Sequence, residues 1–380
     1  MTNKAEIVIV GAGITGCSIA YHLSKKGYTD IIVIDKGGVS SGVTGICPGG
    51  IRQQWGTEIN CLLSKESVHF YENMNELLQP EEFISYKQVG YMFLFHSQKA
   101  IDNYRTQVQL QNKLGIPTKI INSEEAKSLV PHLDSNTFLG ASFCETDGFV
   151  DDAYHVTTSI AQACKRNGVR FLLAEADYLI KSGEKVVGVQ TSKGRIDCDI
   201  VVNAAGVDSP HLAATIGLEI PIKKEIRRIL YTNRIEDRLI EPLLVSFEKG
   251  FAAKQLTDGA IYMSYLGSDL KPPYDKFEFE MKAAEIGMEL VPSLENIEFR
   301  SHLDGTYDST PDHQAILGDV VGLDGYFQAI GMSGHGFMIA PAVGRCMAQL
   351  IVGEKPIIDI SPLHFNRFKE NKLIPEPTVV

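Results

Sequence analysis

The sequence predicts an α/β fold, α+β overall, in which an open and largely parallel sheet carries a second, antiparallel sheet as an insertion. Three observations lead there. The chain opens on a strand, a glycine-rich turn, a helix and a second strand within residues 1–83. Segments of the same character return at 140–218 and at 304–365. Between them, 84–139 and 219–303 are rich in strands that alternate apolar and polar positions, as antiparallel sheets do. A polar tail, 366–380, is expected to follow.

The opening unit carries the most information. Ile7-Val8-Ile9-Val10 is a short β-branched run, as expected of a strand buried on both faces. Gly11, Gly13 and Gly16 follow as G-x-G-x-x-G. The first glycine permits the turn, the second lets backbone approach a pyrophosphate, and the third lets the helix pack against the strand. Ile14, Cys17, Ala20 and Leu23 recur at near-helical spacing, and Gly27 is placed to cap the helix. Amides at its start, among Ala12, Gly13, Ile14 and Thr15, offer a site for an anionic phosphate. Asp35 ends the second strand nineteen residues past Gly16, where a carboxylate can accept hydrogen bonds from ribose hydroxyls. The unit is a Rossmann-like dinucleotide-binding motif. By itself it does not separate a nicotinamide from a flavin.

Composition narrows the function. The 380 residues suffice for two domains or for one large domain with an inserted lobe. Hydrophobic residues at 44% and charged residues at 22% are ordinary for a globular protein. A formal net charge of −11 disfavours non-specific binding to nucleic acid or anionic lipid. No apolar run approaches the ~20 residues of a membrane span, and no signal peptide is expected. The seven cysteines are odd in number and form no C-x-x-C, which suggests neither a disulfide framework nor a metal site. A cytoplasmic location fits.

After Asp35 the chain runs through Lys36, Ser41, Thr44 and Gly45 to Gly49-Gly50-Ile51-Arg52-Gln53-Gln54-Trp55. This stretch is too glycine-rich for a regular element and too short and apolar for a linker. We expect it to wrap a flat ligand, with hydroxyls near phosphates and Arg52 facing an anion; a plain surface loop is the alternative. Helices are expected at 58–78, 99–114 and from 123 to Pro131, with strands over 84–95 turning at Gly90. The α/β pattern resumes with a helix at 153–166 and strands at 169–173, 186–191 and 195–197. A buried strand over 199–203 ends in Ala204-Ala205-Gly206, small residues where an open sheet admits a ligand. A short helix at 208–216 follows. Strands at 229–231, 243–247, 251–254 and 261–265, with a helix at 277–290, suggest a roof. A last strand at 326–330 leads into Gly331-Met332-Ser333-Gly334-His335-Gly336-Phe337-Met338 and a helix at 340–350.

Three glycine-rich elements far apart in sequence are most economically explained by one long cofactor spanning the sheet. Here the chain resembles the D-amino-acid oxidase superfamily of FAD enzymes, in its glycine oxidase and sarcosine oxidase branch. The marks are the N-terminal fingerprint, Val201-Val202-Asn203-Ala204-Ala205-Gly206, Thr310-Pro311-Asp312, and Gly331 to Phe337 before Ala340-Pro341. Gly49-Gly50-Ile51-Arg52-Gln53-Gln54-Trp55 looks especially like the flavin-binding β subunits of multi-subunit sarcosine oxidases and proline dehydrogenases. The resemblance implies a discontinuous FAD domain and a substrate domain whose sheet covers the flavin ring. It also implies hydride removal from the carbon beside an amine nitrogen, giving an imine that water hydrolyses.

Residue roles carry over from the resemblance. Arg52 matches an arginine near the flavin and the substrate carboxylate, a task suited to paired guanidinium donors; a surface or cofactor-phosphate arginine is the alternative. Tyr307 matches a substrate-facing tyrosine, with core packing as the alternative. Backbone from Gly334 through His335, Gly336 and Phe337 to Met338 is expected against the flavin's pyrimidine edge, where amides could stabilise negative charge. His335 is expected to be structural, and His155 and His302 to lie at the surface or in the core. Where monomeric sarcosine oxidases attach FAD through a cysteine this chain has Gly305, and the loop 43–47 lacks the histidine of dimethylglycine dehydrogenases, so FAD is expected to be non-covalent. Met338 replaces a carboxylate-binding lysine, and a lysine that activates oxygen is expected to be replaced near Tyr262.

These departures favour a dehydrogenase, or a subunit of a complex passing electrons to a partner, over a fast oxidase. The expected substrate is a small amine or amino acid bearing a carboxylate, of glycine, sarcosine or proline type. Two alternatives stay open: a 2-hydroxy-acid or glycerol-phosphate oxidoreductase on the same fold, and a largely non-catalytic FAD-binding subunit.

Overall fold

The computed structural model describes residues 4–378. Its centre is a nine-stranded sheet whose four innermost strands come from three distant parts of the chain. Ile7–Val10 pairs in parallel with Ile31–Asp35 on one side and Ile200–Asn203 on the other. Leu323–Ile330 adds in parallel beyond Ile200–Asn203, and Arg170–Leu173 beyond Ile31–Asp35. Lys185–Thr191 extends the far side and carries Ala176–Ser182 and Gly194–Asp197 as antiparallel neighbours. Ile316–Val320 pairs antiparallel with Leu323–Ile330.

The central strands are largely apolar because both faces are covered. Ile7, Ile9, Ile31, Val33 and Val202 pack into one core with the helices Ile14–Lys25, Glu58–Leu78, Ala153–Arg166 and Gly336–Ile351. Val8, Val10, Ile32, Ile34 and Val201 turn to the other face and meet Val186, Val189, Leu212 and Tyr326. The first and last helices cross closely. A Cβ on Gly344 would stand 2.6 Å from the Ser18 backbone, so only glycine permits this approach.

A second sheet of eight strands lies over the first. Its order is Phe299–Ser309, Lys223–Arg234, Ala260–Tyr265, Phe251–Gln255, Leu243–Ser246, Tyr91–Phe95, Gly140–Cys144 and Lys119–Asn122. Neighbours are antiparallel except Leu243–Ser246 beside Tyr91–Phe95, which is parallel. The expected insertion is thus present as a sheet, but its edges differ from those expected. Gly140–Cys144 and most of Phe299–Ser309 belong to this roof, whereas the pattern assigned residues after 140 and after 304 to the first unit. A small sheet of Gly50–Ile51, Gly148–Val150 and Tyr86–Lys87 ties the glycine-rich loop to the roof's base.

The tail differs most from expectation. It is not a polar appendage: Arg367, Glu376 and Thr378 are buried, and Arg367 meets Asp312 in a bidentate pair at 2.8 and 3.0 Å. Residues 369–373 are exposed, but Arg367, Glu376 and Thr378 are satisfied by backbone groups and by Asp312, Thr57 and Asn60, so polarity at these three positions does not mean exposure. Residues 379 and 380 of the expected tail lie outside the described residues.

Candidate active site

One large cavity, about 550 Å³, runs between the two sheets. That is the size of a site for a sizeable organic ligand. The glycine-rich turn forms one end. At Gly11, φ is +111°, and a Cβ would fall 2.1 Å from the Ala204 carbonyl oxygen; at Gly16 it would fall 1.9 Å from that of Gly11. Strand ends and helix start are therefore drawn together at these two positions. The helix Ile14–Lys25 begins at Gly13 with no side-chain cap from that residue. Instead Thr44 Oγ1 accepts the Ile14 N–H at 3.2 Å.

Asp35 organises this end. Its Oδ2 accepts the Ala12 N–H at 2.9 Å, and its Oδ1 accepts Gly37 N–H at 2.8 Å, Gly38 N–H at 3.0 Å and the Ser41 hydroxyl at 3.2 Å. One lone pair of Oδ2 remains for a ribose hydroxyl. Lys36 is held by Asp208 at 2.8 Å. These groups fit the ADP half of a dinucleotide: unobstructed backbone, amides at a helix N-terminus and a carboxylate at the end of the second strand.

The expected residues divide cleanly. Gly13, Ile14, Thr15, Ser41 and Thr44 line the cavity, as do 204–206 and 334–338. Ala12, Gly16, Gly45 and Gly331 stand behind its wall. Gly331 is required there because a Cβ would meet Thr310 Cγ2 at 2.5 Å, and Gly45 because a Cβ would meet the Ser40 carbonyl oxygen at 2.2 Å. Composition and spacing missed Ala174, Glu175 and Ala176, which line the cavity at the end of Arg170–Leu173. Small residues ending a strand were the available signal.

At the opposite end, the turn after Leu323–Ile330 is held in an uncommon conformation. Ser333 has φ +49° and is fully buried. Its hydroxyl bonds the Gly331 carbonyl at 3.1 Å and accepts the Thr310 N–H at 3.2 Å. Asp308 Oδ2 accepts the Gly331 N–H at 2.9 Å; burial pushes this carboxyl up to about 6 despite backbone donors. The Tyr307 ring lies against Gly334, where a Cβ would stand 2.3 Å from Cε2. Burial raises the Tyr307 phenol to about 12, so it is a neutral hydrogen-bonding group at ordinary pH.

Arg52 is 1% exposed and lines the cavity. Its guanidinium carbon stands 3.5 Å from the Trp55 ring centroid, and Trp55 faces His335 at 4.8 Å. Nη1 donates to the Gln54 carbonyl at 2.6 Å and Nη2 to the Thr378 carbonyl. Nε has no partner among the described residues. The surface alternative for Arg52 is thereby ruled out. Buried Asp147 sets the loop, accepting from Gln53 N–H at 2.8 Å and Gln54 Nε2 at 3.1 Å. His335 has neither ring nitrogen hydrogen-bonded among the described residues, and burial lowers its pKa to about 4, so the ring is neutral.

One buried cation went unnoticed in the sequence. Lys254 pairs across the roof with cavity-lining Tyr262, donates to the Val150 carbonyl at 2.9 Å and lies 4.4 Å from the Phe149 ring centroid. Burial lowers its pKa to about 8. Cys47 also lines the cavity; its sulfur accepts the Gly49 N–H, and burial raises its pKa, which keeps the thiol protonated. No group of three or more His, Cys, Asp or Glu side chains among the described residues could hold a metal ion.

A family profile described as FAD dependent oxidoreductase, DAO, matches residues 6–350. The chain belongs to the DAO family of FAD-dependent oxidoreductases. Among solved structures, it is similar to L-proline dehydrogenase from P. horikoshii, with 34% identity, 98% of this chain and 100% of that chain covered, and a TM-score of 0.91. Among curated proteins, it is 26% identical to the mitochondrial dimethylglycine dehydrogenase of Rattus norvegicus over 96% of this chain and 45% of the relative. It is also 26% identical to the mitochondrial pyruvate dehydrogenase phosphatase regulatory subunit of Mus musculus, over 96% of this chain and 43% of the relative. The chain thus spans less than half the length of these curated relatives. FAD is the family's cofactor, and the cavity's donor set suits its ADP half.

Proposed function

We propose that this chain oxidises the C–N bond of a small amino acid, N-substituted or cyclic, with proline the foremost candidate. The single observation that carries the reading is Arg52, a buried guanidinium on the cavity wall with unused donors and no carboxylate against it among the described residues. Such a group attracts an anionic substrate strongly because little solvent screens it. Similarity to L-proline dehydrogenase supports the choice of amine. Bound FAD would supply a two-electron acceptor. Arg52 would hold the substrate carboxylate, and Tyr307 would close the space above Gly334. The roof residues Ile229, Leu243 and Val245 would exclude water from the reacting carbon. That carbon would give up its hydrogen as hydride to the bound acceptor while the nitrogen loses a proton, and water would hydrolyse the resulting imine to a carbonyl and an amine.

The nine-stranded layer serves as the FAD unit in this reading and the eight-stranded sheet as the substrate unit. FAD is held without a covalent bond: Gly305 offers no nucleophile, and the Cys47 thiol is held protonated. Electrons leave to a partner subunit or acceptor rather than quickly to oxygen, since the resemblance puts the loss of an oxygen-activating lysine near Tyr262 and that of a carboxylate-binding lysine at Met338. No helix among the described residues is long and apolar enough to cross a membrane. All seven cysteines are free, which suits a reducing compartment such as the cytoplasm.

The test is anaerobic mixing of the FAD-loaded protein with L-proline, sarcosine, glycine, dimethylglycine and L-lactate. Bleaching by an amine, with slow recovery in air, is the expected result. Bleaching by lactate alone would make the protein a hydroxy-acid oxidoreductase. Bleaching by none would favour a regulatory role like that named for the Mus musculus relative. Arg52→Gln should lower kcat/KM for the amine about a hundredfold, with the flavin content unchanged.

A further inference from the structure

The segment Ile374–Thr378 crosses the molecule to reach the loop that carries Arg52. Asp312 guides it there, accepting the Ile374 N–H through Oδ2 at 3.2 Å and the Glu376 N–H through its backbone carbonyl at 3.1 Å. Glu376 is 4% exposed. Its carboxylate accepts Gly56 N–H at 2.9 Å, Thr57 N–H at 3.1 Å, Thr57 Oγ1 at 2.6 Å and Asn60 Nδ2 at 3.0 Å. These donors sit at the start of Glu58–Leu78, whose own N-cap residue Thr57 makes no side-chain cap bond. Glu376 therefore caps that helix from more than 300 residues away, with its charge favourably placed against the helix dipole. The same carboxylate accepts Thr378 N–H at 3.1 Å, and the Thr378 carbonyl in turn accepts Arg52 Nη2.

We propose that Glu376 is a positioning residue of the active site, setting the Arg52 guanidinium through Gly56, Thr57 and the Thr378 carbonyl. The inference rests on the reading that Arg52 takes the substrate carboxylate. Its logic is electrostatic. A glutamate in direct contact would neutralise Arg52 and compete with the substrate. Held one carbonyl away, Glu376 orients the guanidinium, and with one bond each from Nη1 and Nη2 further N–H donors remain for an incoming anion. Burial raises the Glu376 pKa, but hydrogen bonds from Thr378, Thr57 and Gly56 and the charge of Arg52 outweigh it, and the group is ionised. Trp55 completes the clamp, packed between the guanidinium and His335.

The test uses the full-length, FAD-loaded protein titrated with tetrahydrofuran-2-carboxylate, a ring carboxylate with no oxidisable amine, and followed by the flavin spectrum. Glu376→Gln should weaken binding about tenfold, and Glu376→Asp should recover part of the loss. FAD affinity and flavin reduction potential should stay at wild-type values. In an Arg52→Gln background, Glu376→Gln should add less than about twofold, because both changes remove the same interaction. Wild-type binding by Glu376→Gln, with Arg52→Gln impaired, overturns the inference and leaves the Arg52 reading standing. Wild-type binding by Arg52→Gln overturns that reading itself. Should Glu376→Gln not fold, Thr57→Val removes one donor to the carboxylate: about a threefold loss supports the inference and none overturns it.

Discussion

Lys254 shows how much a single buried charge controls. With a folded pKa of about 8 against an ordinary 10.5, the unfolded chain binds its proton more tightly than the native protein. A depressed value means that its stabilising share is complete only above 10.5 and is lost as pH falls through 8. Lys254→Met should therefore be more stable than wild type at pH 7, by about 3 kcal/mol at most. The advantage should vanish between pH 8 and 10.5 in guanidinium unfolding curves. Asp308 runs the other way. Its raised value, about 6, gives stability that is present below the ordinary carboxyl range and lost as pH rises through 6. Asp308→Asn should flatten that slope and, by loosening the Gly331 turn, weaken FAD binding several-fold by equilibrium dialysis. Neither residue was legible in sequence. Lys254 looks like an ordinary member of an alternating strand and Asp308 like one of several polar residues in a stretch with no apolar stripe, and only burial in the assembled fold makes their charges costly.

At the scale of elements, legibility followed local periodicity. The unit from Ile7 to Asp35, the strand ending at Asn203 and the helices Glu58–Leu78 and Ala153–Arg166 declare themselves, because their apolar spacing and glycine punctuation arise from local packing. Phe299–Ser309 was not expected as a strand, since much of it is polar and exposed at the roof's edge and presents no apolar stripe. Ala176–Ser182 is likewise an exposed edge, with its register broken by bulges. Glu376 was illegible for a different reason: every group that satisfies its carboxylate beyond Thr378 lies at the start of another helix. Close approach of elements gives a sharp expectation. Gly344→Ala would press a methyl to 2.6 Å from Ser18 and separate two helices. Thermal unfolding should show a loss of about 1–3 kcal/mol.

For the whole molecule, the deciding contacts join the last residues to the rest. The Arg367–Asp312 pair has side-chain exposures of 3% and 0%, and Arg367 Nη1 also donates to the Leu363 carbonyl at 2.8 Å. Breaking such a pair strands a buried charge. Asp312→Ala should cost about 3–5 kcal/mol in unfolding free energy. It should also release the C-terminal segment to protease before the core unfolds, which limited proteolysis would show. The strand Leu323–Ile330, wedged between Ile200–Asn203 and Lys185–Thr191, has a further consequence for how the protein comes into being. A ribosome that has made the first two hundred residues has delivered most of the parallel layer but not its keystone. The nascent layer then holds two unfinished edges side by side, a state prone to pairing with the wrong neighbour. The cofactor pocket closes only once Leu323–Ile330 and the turn after it have been made, so flavin loading has to wait for that strand.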